Sequence, residues 1–304
     1  MSVLASSAIS YFQAIFIGIL QGITELFPVS SLGHSVLVPE LLGWDKLVHG
    51  QSADESFYLA FLVGLHVATA IALLVFYWRD WVAIVKGFFA TLGKRRIETA
   101  DERMAWLLVL GTIPVGIVGL VFEHNLRTVF AKPMAAAIFL TINGVILFLG
   151  ERLRRRAEVR ALVAEHSHHA DPGHDVGRDL DTLELREGVL VGSSQVLALF
   201  AGISRSGVSM VAGLLRGLDH EDAMRFSFLL ATPIILAAGV YKVPDLLGHN
   251  GDGIRGQVLA GSVAAGLAAY LSVRFLSRWF ETRTLTPFAV YSVVFGLFMI
   301  AYVA

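Results

Sequence analysis

The chain has 304 residues, of which 55% are apolar and only 16% charged, with a formal net charge of −1 and no cysteine. A soluble globular protein carries about 25% charged residues, so this deficit points to the bilayer rather than to one or two soluble domains. The missing cysteine excludes disulfides, thiolate metal sites and a cysteine nucleophile, and the balanced charge gives no global attraction to nucleic acid, which is not expected as a partner.

The N-terminus lacks a basic start, and Gln13, Gln21 and Glu25 interrupt its apolar run, so it reads as part of the mature protein and not as a secretory signal. Residues 8–42 are apolar but broken in the middle by QGITELFPVSSLGH, from Gln21 to His34. Six segments then have the length and apolarity of a membrane span: roughly 57–78, 104–122, 131–150, 226–243, 256–273 and 286–303. A second broken apolar region covers 188–216 and contains GISRSGVS, from Gly202 to Ser209.

Basic residues orient the spans. Segment 79–103 holds Arg79, Lys86, Lys94, Arg95, Arg96 and Arg103, and 151–160 holds Arg152, Arg154, Arg155, Arg156 and Arg160. The loop between them, 123–130, is poor in such residues, so the two basic segments are expected on the cytoplasmic side. Segments 217–225 and 274–285 also read as cytoplasmic, and 244–255 as external. With 151–187 and 217–225 both inside, 188–216 must enter and leave on one face. At roughly 29 residues it is too short for two spans, which predicts a re-entrant helical hairpin. The same reasoning from the outer face covers 8–42, with a single N-terminal span as the rival reading. The stretch EHSHHADPGHD, Glu165 to Asp175, contains four of the ten histidines. A metal-binding tract is conceivable, but its polarity, Pro172 and Gly173 favour a disordered cytoplasmic loop.

The two broken regions match at a constant offset. Gly18, Gln21, Ser30, Gly33 and Ser35 fall on Gly192, Gln195, Ser204, Gly207 and Ser209. Each copy is followed by three spans, and an odd number inverts the second copy. Repeats of opposite topology with broken helices place their sites near the midplane. The fold class is therefore read as an all-α polytopic membrane protein, with six transmembrane helices and two re-entrant hairpins in an inverted repeat. Residues 1–150 form the first half, 151–187 a cytoplasmic linker and 188–304 the second half.

The tips carry the chemistry. On a helix over 12–27, Gly18, Gln21 and Glu25 share one face. Pro28 ends that helix, Ser30 or Ser31 caps the next, and His34 sits in its first turn. Glu25 in an apolar setting needs a cavity or a partner, and an ion pair with Arg205 that simply holds the tips together is the plainer account. Arg205, flanked by Ser204 and Ser206 near a helix N-terminus, fits a phosphate cradle, with a structural arginine bonded to carbonyls as the rival. A hydroxyl and an imidazole (Ser31, His34), a carboxylate (Glu25) and an anion clamp (Arg205) together suit phosphoryl transfer. Glu25 could orient His34, activate water or hold a divalent cation, Mg²⁺ or Ca²⁺, with substrate phosphates. His66, inside a span, is functional or structural with equal weight.

QGITELFPVSSLGH together with the late SRSG resembles the undecaprenyl-diphosphate phosphatase family of bacterial inner membranes, the bacitracin-resistance type, over nearly the whole chain from Gln13 to the final span. The resemblance implies removal of one phosphate from a C55 prenyl diphosphate, recycling the lipid carrier for cell-wall synthesis. It also implies six spans plus two re-entrant helix pairs in an inverted repeat, as the charge count gives independently. The family's catalytic serine and histidine fall on Ser31 and His34, its first-motif pair on Gln21 and Glu25, and its essential arginine on Arg205. Its late motif falls on Ala201 to Gly207 and then Ser209. Substrate contacts are accordingly expected from Gln21, Ser30, Ser204, Ser206, Gly207, Ser209 and His66. Two positions depart from the pattern: Gln21 replaces the glutamate of some members, leaving Glu25 to carry any metal, and Ala201 stands where proline is usual. Ser31 is favoured as nucleophile with His34 as base, and attack by His34 itself is the alternative. The partners implied are the prenyl lipid and the bilayer, with the oligomeric state open to a dimer. The site is expected to open to the outer side of the inner membrane, through a lateral gap lined by Leu, Ile and Phe. An inverted repeat equally suits a transporter of a phosphorylated lipid or ion, which needs the anion clamp but not the hydroxyl–imidazole pair.

Overall fold

The computed structural model describes residues 9–44, 47, 57–130, 132–167, 177–247 and 253–304. The chain is an all-α polytopic membrane protein. Among the described residues five helices are long and apolar enough to cross a bilayer: Ala100–Phe122, Pro133–Arg160, His220–Tyr241, Arg255–Phe280 and Thr286–Val303. A sixth candidate is a pair bent by 87° at Tyr77. Large apolar side chains such as Leu120, Val240, Leu259 and Leu267 are exposed on these helices, as a lipid-facing surface requires, while Asn143, Thr232, Ser227 and Ser292 are buried between them.

In chain order, α1 is Tyr11–Thr24 and α2 is Ser31–Leu41. Ser10 starts α1 through a capping box with Gln13. The 14 residues of α1 reach roughly 21 Å and the 11 of α2 roughly 17 Å, both short of a 30 Å hydrocarbon core. Helix α3, Phe57–Phe76, is followed after the bend by α4, Trp78–Lys94. Segment 79–103 is thus mainly a helix and not the loop that its charges suggest. On α4, Ile84, Gly87 and Thr91 face the protein, and Val82, Val85, Phe89 and Leu92 are exposed, a pattern suited to lying along the membrane surface.

Helix α5, Ala100–Phe130, runs through the expected loop 123–130, and α6, Pro133–Ser167, carries the whole arginine run 152–160. The start of the His-containing stretch is the end of α6; residues 168–175 lie outside the described residues. The second hairpin consists of α7, Leu185–Ser194, a 3₁₀ turn over Gln195–Leu199 and α8, Arg205–Leu214. It begins slightly earlier than expected because Glu184 and Glu187 form a capping box ahead of the apolar run. Helices α9, His220–Leu247, α10, Arg255–Phe280, and α11, Thr286–Val303, complete the chain.

The hairpins pack on the opposite half of the chain: α1 lies along α10, and α7 along α5. Both contacts depend on glycine. A Cβ on Gly18 would stand 2.3 Å from the Gly261 carbonyl oxygen, and one on Gly192 would stand 2.2 Å from that of Gly111. With lipid outside, close backbone approach replaces the hydrophobic effect as the force joining helices. Gly18→Ala and Gly192→Ala should each destabilise the protein by about 1–3 kcal/mol through overpacking, seen as a lower melting temperature in detergent. Gly93→Ala, in a helix with open space around it, should be neutral or stabilising by up to about 1 kcal/mol.

Candidate active site

Non-helical backbone inside a membrane protein must find its hydrogen bonds within the protein, and the two tips find them in each other. Ser30, at φ +70°, turns the chain into α2, a backbone region that a side chain rarely adopts without support. Its hydroxyl supplies that support by accepting from the Gly33 amide and, across the tips, from the Gly202 amide, both at 3.2 Å. Gly202 has φ +113°, and a Cβ there would meet the Ala136 carbonyl oxygen at 2.4 Å, so glycine is required twice over. Ser204 caps α8 as Ser30 caps α2, accepting from the Gly207 amide at 3.1 Å. Asn143, buried on α6, joins both turns: its amide donates to the Pro28 carbonyl at 3.0 Å, and its oxygen accepts from the Ser204 amide at 2.9 Å.

Glu25 is the hub of the cavity so formed. Its Oε2 accepts from Gln21 Nε2 at 2.8 Å and from the Ser31 hydroxyl at 2.5 Å. His66 Nε2 lies 3.2 Å from the same oxygen, while His66 Nδ1–H donates to the Leu62 carbonyl at 2.7 Å. Arg205 Nη2 donates to Glu25 Oε1 from the other tip. The glutamate is 7% exposed, so it is a desolvated carboxylate held by four side chains. One guanidinium nitrogen is engaged there, which leaves other N–H donors of Arg205 for a second anion. The amides of Ser31 and Leu32 on α2, and of Arg205 and Ser206 on α8, occupy first helical turns, where no intrahelical carbonyl is available. Ser31, Leu32 and Arg205 line the cavity, so both helix starts bring positive potential to it.

The cavity encloses about 280 Å³. Glu25, Ser30, Ser31, His66, Gln195, Ser204 and Arg205 line its polar part, and leucine, isoleucine, valine and alanine line the remainder. Other proposed residues lie apart from it. His34 is buried against α11, its Nδ1–H donating to the Ser30 carbonyl and its Nε2 meeting the Tyr291 hydroxyl, both at 2.7 Å. The proton of Ser31 therefore has Glu25, and not His34, as its neighbour. Ser206 contacts Ser204 and the Phe27 carbonyl, Ser209 bonds the Arg205 carbonyl and Ser227, and Gly207 packs under Leu147 and Asn143. These three build the second tip from behind. Asn143, Tyr291 and Gln195 were not singled out as site residues from sequence. Asn143 left a readable signal, a lone amide in an apolar span; Tyr291 left none, because a tyrosine near a span is ordinary.

Comparison with known proteins bears on this arrangement. Residues 14–298 match the family described as bacitracin resistance protein BacA. The chain belongs to this family. It is similar to an undecaprenyl-diphosphatase of Mycolicibacterium paratuberculosis, at 60% identity over 95% of each chain. It is also similar to one of Mycobacterium avium, at 59% identity over 96% of each, and to undecaprenyl-diphosphatase 2 of Frankia alni, at 56% identity over 95% of this chain and 96% of the relative. The BacA-family match includes both tips, α3 with His66 and α11 with Tyr291, so every residue bonded to Glu25 lies inside it.

Asn143→Leu should strand the Pro28 carbonyl and the Ser204 amide, at about 1–3 kcal/mol per stranded group. The melting temperature in detergent should fall by roughly 4 °C or more. Ser193→Ala removes only a hydroxyl bonded to its own helix and should shift melting much less.

Proposed function

We propose that the chain hydrolyses undecaprenyl diphosphate to undecaprenyl phosphate and inorganic phosphate, with Ser31 as nucleophile and Glu25 as its base. The observation that carries this reading is the Ser31 hydroxyl donating to Glu25 while Arg205 reaches the same carboxylate from the opposite tip. Ser31 Oγ attacks the terminal phosphorus and its proton passes to Glu25. The bond from that phosphorus to the bridging oxygen breaks, and the prenyl phosphate leaves with the bond's electron pair. The proton on Glu25 passes to the departing phosphate oxygen; water then gives a proton to Glu25 as it attacks the phosphoserine, and that proton returns to Ser31 Oγ as inorganic phosphate leaves. Charge on the phosphoryl oxygens is met by Arg205 and by the first-turn amides of α2 and α8, donors fixed before the reaction starts. Gln21 and His66 orient Glu25. His34, held by Tyr291, positions the Ser30 carbonyl and so the start of α2.

The apolar wall of the cavity suits a prenyl chain that stays in the lipid while only its diphosphate enters. A divalent cation has donors in this cavity: the Gln195 side-chain oxygen lines it with Glu25 and is buried without a hydrogen-bond partner, and a neutral oxygen with a carboxylate suits Mg²⁺ or Ca²⁺. Glu25 and Gln195 would hold it, and it would supply neutralisation of the diphosphate charge. We read the architecture as six spans in an inverted repeat within the bacterial inner membrane, its site opening to the outer side. Support comes from the matched serine caps, the hairpins exchanged between halves and the arginines gathered at one end of α6.

Phosphate release from a long-chain prenyl diphosphate by the purified protein checks this reading. Wild type should be active, Ser31→Ala should lose at least about a thousandfold, and Arg205→Lys about a hundredfold, in line with the loss of a nucleophile or a fixed transition-state donor. A chelator should suppress release, and Mg²⁺ or Ca²⁺ should restore it. An active Ser31→Ala would remove the serine from the mechanism.

A further inference from the structure

A second polar cavity, larger than the first at about 930 Å³, lies between α6 and the junction of α10 with α11. Arg152, Arg155, Arg156 and Arg160 line it from one face of α6, at the i, i+3, i+4 and i+8 positions, and Arg283 faces them from the junction. Arg154, off this face, is engaged elsewhere, with Glu158 and His220. The carboxylate in the groove is Glu151, and its two oxygens are taken by Arg155 at 3.2 Å and by His220 at 2.9 Å. Among the described residues no carboxylate is paired with Arg152, Arg156, Arg160 or Arg283.

The four guanidinium groups without a carboxylate partner repel each other across one groove unless an anion enters. The groove offers an anion two further donors, the hydroxyls of Thr282 and of Thr286 at the start of α11; the Thr284 hydroxyl already donates to Thr286 Oγ1 at 3.1 Å. Phe148, one turn before Arg152 on α6, with Trp279 and Pro287 from the facing elements, adds apolar lining. Arg283 stands over the Trp279 ring at 5.9 Å. Arginine above, tryptophan at the boundary and phenylalanine toward the span is the gradient from headgroup to acyl chain.

We propose that this groove binds the phosphate headgroup of an anionic phospholipid from the leaflet on the basic side of the protein, its acyl chains lying along Phe148 and Trp279. The apolar wall favours a lipid over free phosphate, which has nothing to place there. The site shares no residue with the Glu25–Arg205 cavity and stands whether or not that cavity is a phosphatase.

The test titrates phosphatidylglycerol into the delipidated full-length protein in a neutral detergent and counts bound lipid by native mass spectrometry, with phosphatidylcholine and inorganic phosphate as separate arms. The Arg156→Gln/Arg160→Gln/Arg283→Gln variant should bind phosphatidylglycerol at least about tenfold more weakly than wild type. The single change Arg160→Gln, at an exposed position, should show a smaller loss in the same direction. Arg95→Gln/Arg96→Gln, on a basic segment away from the groove, should change affinity less than about twofold. Equal loss in the two multiple variants, equal binding of phosphatidylcholine, or full displacement of the lipid by millimolar inorganic phosphate would each overturn the proposal.

Discussion

The contact between Glu25 and Arg205 is the constraint around which the molecule is arranged. Two chain turns inside a bilayer protein leave peptide groups that lipid cannot satisfy, and a carboxylate and a guanidinium at those turns add charges that lipid cannot solvate. Bringing the turns together answers both demands. Each charge finds its counterion, and the peptide groups of one tip bond to the other through Ser30 and Gly202. Neither tip is stable in this setting alone, because removing one partner of a buried pair strands the other charge, at about 3–5 kcal/mol.

The rest of the packing serves that meeting. Short hairpin helices reach the interior because glycines let α1 press on α10 and α7 on α5. Asn143 fixes the spacing of the tips from a third direction, and Tyr291 holds His34 behind them. The consequence is a carboxylate faced by an amide, a hydroxyl, an imidazole and a guanidinium. Gln21 matters here: its amide donates to Glu25, whereas a second carboxylate would face Glu25 with like charge. On the proposed mechanism the same rigidity gives chemistry its geometry, since a nucleophile, a base and an anion clamp on two separate chain segments would have to be held to within fractions of an ångström.

Much of this was legible in the sequence because membranes impose simple rules. Charge parity pointed to two broken apolar regions, and the structure has a short helix on either side of each break: α1 and α2 in the first, α7 and α8 in the second. The polar residues of QGITELFPVSSLGH and SRSG were conspicuous because apolar surroundings leave them few roles, and the structure brings Glu25, Ser31 and Arg205 together. What escaped was set by direction rather than composition. His34 is one helical turn from Ser30, so its ring turns toward the Ser30 carbonyl and α11 instead of toward Ser31. The bend at Tyr77 has no proline or glycine to announce it. Arg79 to Lys94 read as a loop because a surface helix mixes charge with apolar residues, and the length of α6 was hidden because arginine is as good a helix former as leucine.

The measurement that bears most directly on this account is a double-mutant cycle on phosphate release, using Glu25→Gln, Arg205→Lys and the two combined. If the carboxylate and guanidinium work as one unit, the double variant should be no slower than the slower single variant, within about threefold. If the two losses instead multiply, Glu25 and Arg205 act independently, and the claim that one cross-tip pair organises the site is contradicted.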